Sequence, residues 1–160
     1  MPPDLQQEIR RGRPFESREE ELYLGVLRTA GALSAEVGRF LKVKGLSEPQ
    51  YNALRILSGA GTAGLPTQEI GARMVTPVPD VTRLVDRLES AGFAERQRTD
   101  PDRRVVRVVV TVAGRRVAKA LEPALIEIHR RQLGHLSQND LSALIRLLGQ
   151  ARDGVHGKTI

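Results

Sequence analysis

The stretch from Pro77 to Gly114 constrains this chain more than any other, because two hydrophobic periods meet in it. Val81, Leu84, Val85 and Leu88 fall at i, i+3, i+4 and i+7, the spacing of one buried helical face. Gly92 supplies a helix stop, Phe93 to Arg98 alternates like a short strand, and Val105 to Thr111 is a β-branched run that favours a second. Between the two strands, Thr99, Asp100, Pro101 and Asp102 are turn formers, so the pair is expected to be a β-hairpin. Pro77 and Pro79 are expected near the first turn of the helix, where backbone N–H groups lack intrahelical partners.

The flanking segments are helical. Tyr23, Val26, Leu27, Ala30, Leu33, Val37 and Leu41 line one face of a helix expected from Glu16 to near Gly45. Ser47 and Gln50 make a capping box, with Leu46 and Tyr51 placed to staple across the start of the next helix, which ends at Gly59, Gly61 and Gly64. A short helix follows, with Thr67 expected as its cap, Glu69 in its first turn, and Ile70 and Met74 as a narrow apolar stripe. Two helices close the chain, from about Ala113 to Leu133 and from Gln138 to about Arg152. Ser137 caps the last, with Leu141, Leu144, Ile145 and Leu148 as its apolar face. Residues 1–14, with three prolines and the run Arg10, Arg11, Gly12, Arg13, read as a flexible basic arm.

Composition excludes several chemistries. The 160 residues hold no cysteine, which removes disulfides, thiolate metal sites and thiol-based sensing. His129, His135 and His156 share no ligand spacing with acidic residues, so no metal and no cofactor is expected. A nucleophile elbow, a glycine-rich phosphate loop and a metalloprotease helix motif are all lacking, and an enzyme is not expected. Neither a membrane span nor a signal peptide is visible, and the expected location is the cytoplasm. The net charge of +6 favours an anionic partner, but residues 65–112 carry eight basic against seven acidic side chains. Placement, not total charge, has to carry any case for nucleic acid.

Short helix, turn, amphipathic helix and hairpin with a charged tip is the order of a winged helix-turn-helix, whose second helix enters a major groove. Opposite its apolar stripe that helix carries Thr82, Arg83, Asp86 and Arg87, and arginines there suit phosphate or guanine edges. A solvated face with i, i+4 charge pairs is the competing reading. At the hairpin tip, Asp102, Arg103 and Arg104 stand where a wing would meet the minor groove, with Asp102 orienting Arg104. An ordinary surface ion pair on a turn is the alternative there.

These residues carry a resemblance. The run from Val81 to Gly114 resembles the recognition helix and wing of the MarR family of bacterial transcriptional regulators: a VTRLVDRLE helix, Gly92 with Phe93, Asp102 with Arg104, and Thr111-x-x-Gly114. The resemblance implies a mainly α fold with a small β-hairpin wing, a winged helix-turn-helix over residues 46–112, a helical dimerisation region over 15–45 and 113–154, and a flexible tail over 155–160. It further implies a homodimer that binds double-stranded DNA at a pseudo-palindromic operator, with Thr82 and Arg83 as recognition-helix contacts and Arg104 as the wing arginine oriented by Asp102. Thr76, Asp80 and Arg87 match further contact positions, although Pro77-Val78-Pro79 departs from the family's commoner Ser-Pro-Ser start. Thr67 and Gln68 match positions that hold phosphate.

Many members of the family answer to small aromatic ligands, so a small-molecule effector is a further expectation, with its binding residues unknown. Tyr51 serves equally as the staple residue and as a pocket wall. The function expected from all this is a dimeric, sequence-specific transcriptional regulator, a repressor relieved by an effector. The other expectation is a dimeric winged-helix interaction or architectural module without operator specificity, for which Arg83 and Arg104 would be dispensable.

Overall fold

The computed structural model describes residues 4–98 and 106–156. It contains α1 (Leu5–Glu8), α2 (Arg18–Val43), α3 (Glu48–Gly59), a 3-10 turn (Gly61–Ala63), α4 (Thr67–Ala72), α5 (Val81–Ser90), β1 (Ala94–Arg98), β2 (Val106–Val110), α6 (Val112–Leu133) and α7 (Gln138–His156). The fold is mainly α with one antiparallel hairpin, as the sequence indicates. Two units divide it, one through Ala118 and one from Lys119, with the boundary inside α6. Among the described residues, no helix is long and apolar enough to cross a membrane.

In the first unit, local chemistry sets each boundary. Ser17 caps α2 by accepting from the Glu20 amide, and Gly45, at φ 76°, ends the helix with the Leu46 amide returning to the Leu41 carbonyl at 3.0 Å. The capping box at Ser47 and Gln50 is complete in both directions, at 2.8 and 3.3 Å. Leu46 behind it is buried, while Tyr51 is half-buried, its hydroxyl shut from water without a hydrogen-bond partner among the described residues. Leu41, Ala53, Leu54, Leu57, Ile70, Val85, Leu88 and Val108 form the fully enclosed centre.

The hairpin pairs Ala94 with Val110 through Arg98 with Val106. A third backbone segment joins it: the Leu65 amide donates to the Val108 carbonyl at 3.0 Å, and the Val108 amide donates back at 2.8 Å. Gly64 makes this approach possible. Its φ is 59°, and a Cβ there would sit 2.6 Å from the Val108 carbonyl oxygen. At the other end of β2, Thr111 donates its hydroxyl to the Gly92 carbonyl at 2.7 Å and accepts from the Gly114 amide at 3.0 Å, so one side chain caps α6 and ties it to the end of α5. A Cβ on Gly114 would collide with the Phe93 carbonyl oxygen, which is the physical content of the Thr-x-x-Gly pattern.

Three expectations change. Thr67 does not cap α4: Pro66 is the N-cap, without a side-chain bond, and Thr67 is the first helical residue. The Leu65 bridge fixes the backbone up to that point, so the chain enters the helix one residue too early for Thr67 to cap it. Pro77 and Pro79 lie before the helix and not in its first turn, because Asp80 is the N-cap of α5, its carboxylate accepting from the Arg83 amide at 2.8 Å. The expected arm is a built turn over its described residues 4–14. Asp4 caps α1, Arg11 pairs with Glu20 at 2.7 Å, and its guanidinium lies 4.9 Å from the centre of the Phe15 ring.

The stripe expected on α2 is buried only at Leu41. Leu22, Tyr23, Val26 and Leu27, in the first half of the helix, are exposed. In the second unit Leu121, Leu125 and Ile128 are buried on α6. There α7 starts at Ser137, whose hydroxyl accepts from the Asp140 amide at 3.1 Å, and extends about one turn past the expected end. Leu144, Ile145, Leu147 and Leu148 stand exposed along it.

Candidate nucleic-acid interface

The helix-turn-helix is α4, the turn through Pro79 and α5. Two contacts hold its angle. Gly71 on α4 lets Val81 approach so closely that a Cβ would be 3.0 Å from the valine methyl, and Asn52 on α3 accepts the Val75 amide of the turn at 2.9 Å. α5 then buries Leu84, Val85 and Leu88 completely or nearly so. It ends at Gly92, φ 72°, with the Gly92 amide bonded to the Glu89 carbonyl at 2.8 Å and the Phe93 amide to that of Leu88 at 2.9 Å. A ten-residue helix with one face so fixed has its opposite face fixed as well.

That outward face carries Thr82, Arg83, Asp86 and Arg87, all exposed, as are Gln68, Thr76 and Asp80, while Thr67 is half-buried. Asp80 is committed to capping, and the Arg83 guanidinium lies only loosely against it, at 4.0 Å. Arg87 has no ion-pair partner among the described residues. Asp102, Arg103 and Arg104 of the expected wing tip lie outside the described residues.

Sequence reasoning missed Arg96. From β1, opposite the fully buried Val108, its side chain reaches back across α5, where it pairs with Glu89 through Nη1 and with Asp86 through Nη2 at 2.7 Å. Nη2 also donates to the Thr82 carbonyl at 3.5 Å, and the Arg96 amide donates to Glu89 at 2.7 Å. Burial works against the guanidinium's charge, but the two carboxylates more than offset it and raise its pKa above the ordinary arginine value. The competing reading of this face, a set of i, i+4 pairs within α5, therefore does not describe Asp86 and Glu89, whose partner is on the strand. Two acids three residues apart, just ahead of an alternating segment with an arginine, were the available signal.

Residues 44–105 match the family model described as MarR family. The Bacillus subtilis HTH-type transcriptional regulator YfiV is 34% identical over 100 residues, 62% of this chain and 59% of that protein, so the match spans less than two thirds of the relative. The crystal structure of a MarR transcription factor from Planctomyces limnophilus is 39% identical, with 86% of this chain and 99% of that one aligned at a TM-score of 0.65. The Staphylococcus aureus MepR–DNA complex shares the fold at 18% identity and a TM-score of 0.74, over 82% of this chain and 97% of that one. The winged helix-turn-helix, the family model and a 39% identical relative matched over nearly its whole length agree: this chain belongs to the MarR family of transcriptional regulators and is not an enzyme.

Proposed function

We propose that the chain is a homodimeric, operator-binding transcriptional repressor whose hold on double-stranded DNA is relieved by a small-molecule effector. The observation that carries the DNA reading is the α5 face, where Thr82, Arg83 and Arg87 are exposed directly opposite an apolar stripe buried in the core. Arginine can bridge guanine O6 and N7 or phosphate from such a position. Thr67, Gln68, Thr76 and Asp80 flank that face in this reading, and Asp102, Arg103 and Arg104 act as the wing beside it. MepR, a fold neighbour, was solved on DNA, which supports placing a duplex against the same elements.

The dimer rests on two apolar rows. Leu22, Tyr23, Val26 and Leu27 on α2, and Leu144, Ile145, Leu147 and Leu148 on α7, are exposed in the single chain, and contiguous exposed apolar surface of this kind marks an association site. A second copy covers them in this reading and sets two α5 helices on successive half-sites. The effector is supported by another fold neighbour, Bordetella bronchiseptica BpsR, described as regulated in DNA binding by 6-hydroxynicotinic acid. An effector acts here by preferring one of two dimer states. The working location is the cytoplasm, where the operator is.

Fluorescence anisotropy against the chain's own upstream DNA and a scrambled duplex of equal length, across a salt series, tests the reading. Preference for the upstream duplex by about 10³-fold or more at physiological salt is expected of an operator-binding regulator. Equal binding that collapses with salt would instead mark a phosphate-only interaction module.

A further inference from the structure

α5 carries an electrostatic problem. Residues 80–90 hold two basic side chains, Arg83 and Arg87, against three acidic ones, Asp80, Asp86 and Glu89. A helix turned toward a phosphate backbone with a net negative charge would be repelled by it. Asp80 spends its carboxylate on the Arg83 amide, which leaves Asp86 and Glu89.

Both are met by one residue from another element. We propose that Arg96 is a positioning residue for DNA binding: by bridging Asp86 and Glu89 it offsets the net negative charge of α5 and fixes the base of the wing against that helix. The proposal rests on α5 being the DNA-reading helix. Arg96 is suited to it because its backbone is held in the β1–β2 ladder opposite Val108, so the guanidinium starts from a fixed point. Its side chain is 28% exposed and that of Glu89 29%, so this is a partly enclosed pair and not a loose surface contact. One planar fork reaches two carboxylates and the Thr82 carbonyl together, which an ammonium group does not reproduce. The Thr82 contact places the clamp at the first turn of α5, beside the residues that face outward.

The test uses the full-length chain in five forms: wild type, R96A, R96K, D86N/E89Q, and R96A/D86N/E89Q. Anisotropy on the upstream and scrambled duplexes at two salt concentrations should show R96A weakened by about tenfold or more at low salt, with the deficit shrinking as salt screens the uncovered carboxylates. R96K should fall between wild type and R96A. The triple variant should bind within about threefold of D86N/E89Q, because without the acids Arg96 has nothing left to cancel. A triple variant as weak as R96A would overturn the proposal, since Arg96 would then be acting through its own DNA contact or through the fold.

A second readout needs no DNA. R96A should lower the urea midpoint in the wild-type background and leave it unchanged in D86N/E89Q; equal lowering in both would contradict the clamp. Equal wild-type affinity for both duplexes would reject the operator reading alone, since the charge effect is still read on either duplex. Wild-type chain that binds neither duplex would overturn both.

Discussion

α5 and α7 begin from the same kind of sequence and end in opposite situations. Each carries leucine and β-branched residues at helical spacing, yet Leu84, Val85 and Leu88 are 6, 0 and 0% exposed, whereas Leu144, Ile145 and Leu148 are 45, 71 and 41% exposed. Periodicity establishes that a helix has an apolar face; it does not say which chain will cover it. On α5 the cover is local, supplied by α3, α4 and the hairpin of the same unit. On α7, and on the first half of α2, the same kind of face stands exposed, and the cover we propose for it is a second copy of the chain. The polar faces differ correspondingly, since α5 has Asp86 and Glu89 paired with one arginine of a neighbouring strand and its own arginines left outward.

The comparison can be broken most forcefully on the α7 side. Leu148, exposed in the single chain, lies in the proposed dimer interface, so Leu148→Asp should leave the helical content intact but convert dimer to monomer by light scattering at micromolar concentration, by setting an unpaired charge there. A dimer of unchanged affinity would show that α7 is not part of the interface. On the α5 side Leu88→Ala should cost about 2–5 kcal/mol in urea unfolding, the range for emptying a fully buried leucine site. Its loss should appear in the monomeric Leu148→Asp background as well, because the cover is intrachain.

Gly114→Ala sharpens the comparison at the junction of the hairpin with α6. The added methyl meets the Phe93 carbonyl oxygen, and a loss of about 1–3 kcal/mol in thermal or urea unfolding is expected, as for other overpacked sites. The smallest effect belongs to the N-terminal turn. The hydrogen bond from Arg11, helped by the Glu16 amide, holds the Glu20 carboxyl below the usual carboxylate range. A depressed folded-state pKa contributes stability above the unfolded value and loses it as pH falls through the folded one. Amide protection over residues 5–17, with the intrinsic pH dependence of exchange divided out, should therefore fall on acidification, and Glu20→Gln should reduce that pH dependence.

What the sequence made legible was short-range. The capping box at Ser47 and Gln50, the stop at Gly92 and the hairpin after it follow from side chains within a few residues of the backbone groups they satisfy. The misreadings came from longer range. Thr67 has the chemistry of a cap, but the bridge between Leu65 and Val108, 43 residues apart, sets where the helix starts. Arg10 to Arg13 reads as a solvated basic run until Glu20 and Phe15 are folded against Arg11. The outward residues of α5 were found from periodicity alone, whereas Arg96 became visible only when strand and helix were placed side by side.

In the function proposed above, the outward face of α5 reads sequence while its inner face only holds the fold. Anisotropy of Arg83→Ala against the upstream and scrambled duplexes at matched salt tests it most directly. The expected result is a loss of about 5- to 100-fold on the upstream duplex, the scale of one bidentate base contact, with a much smaller loss on the scrambled one and an unchanged fold and dimer. Equal affinity for both duplexes before and after the substitution would contradict the account.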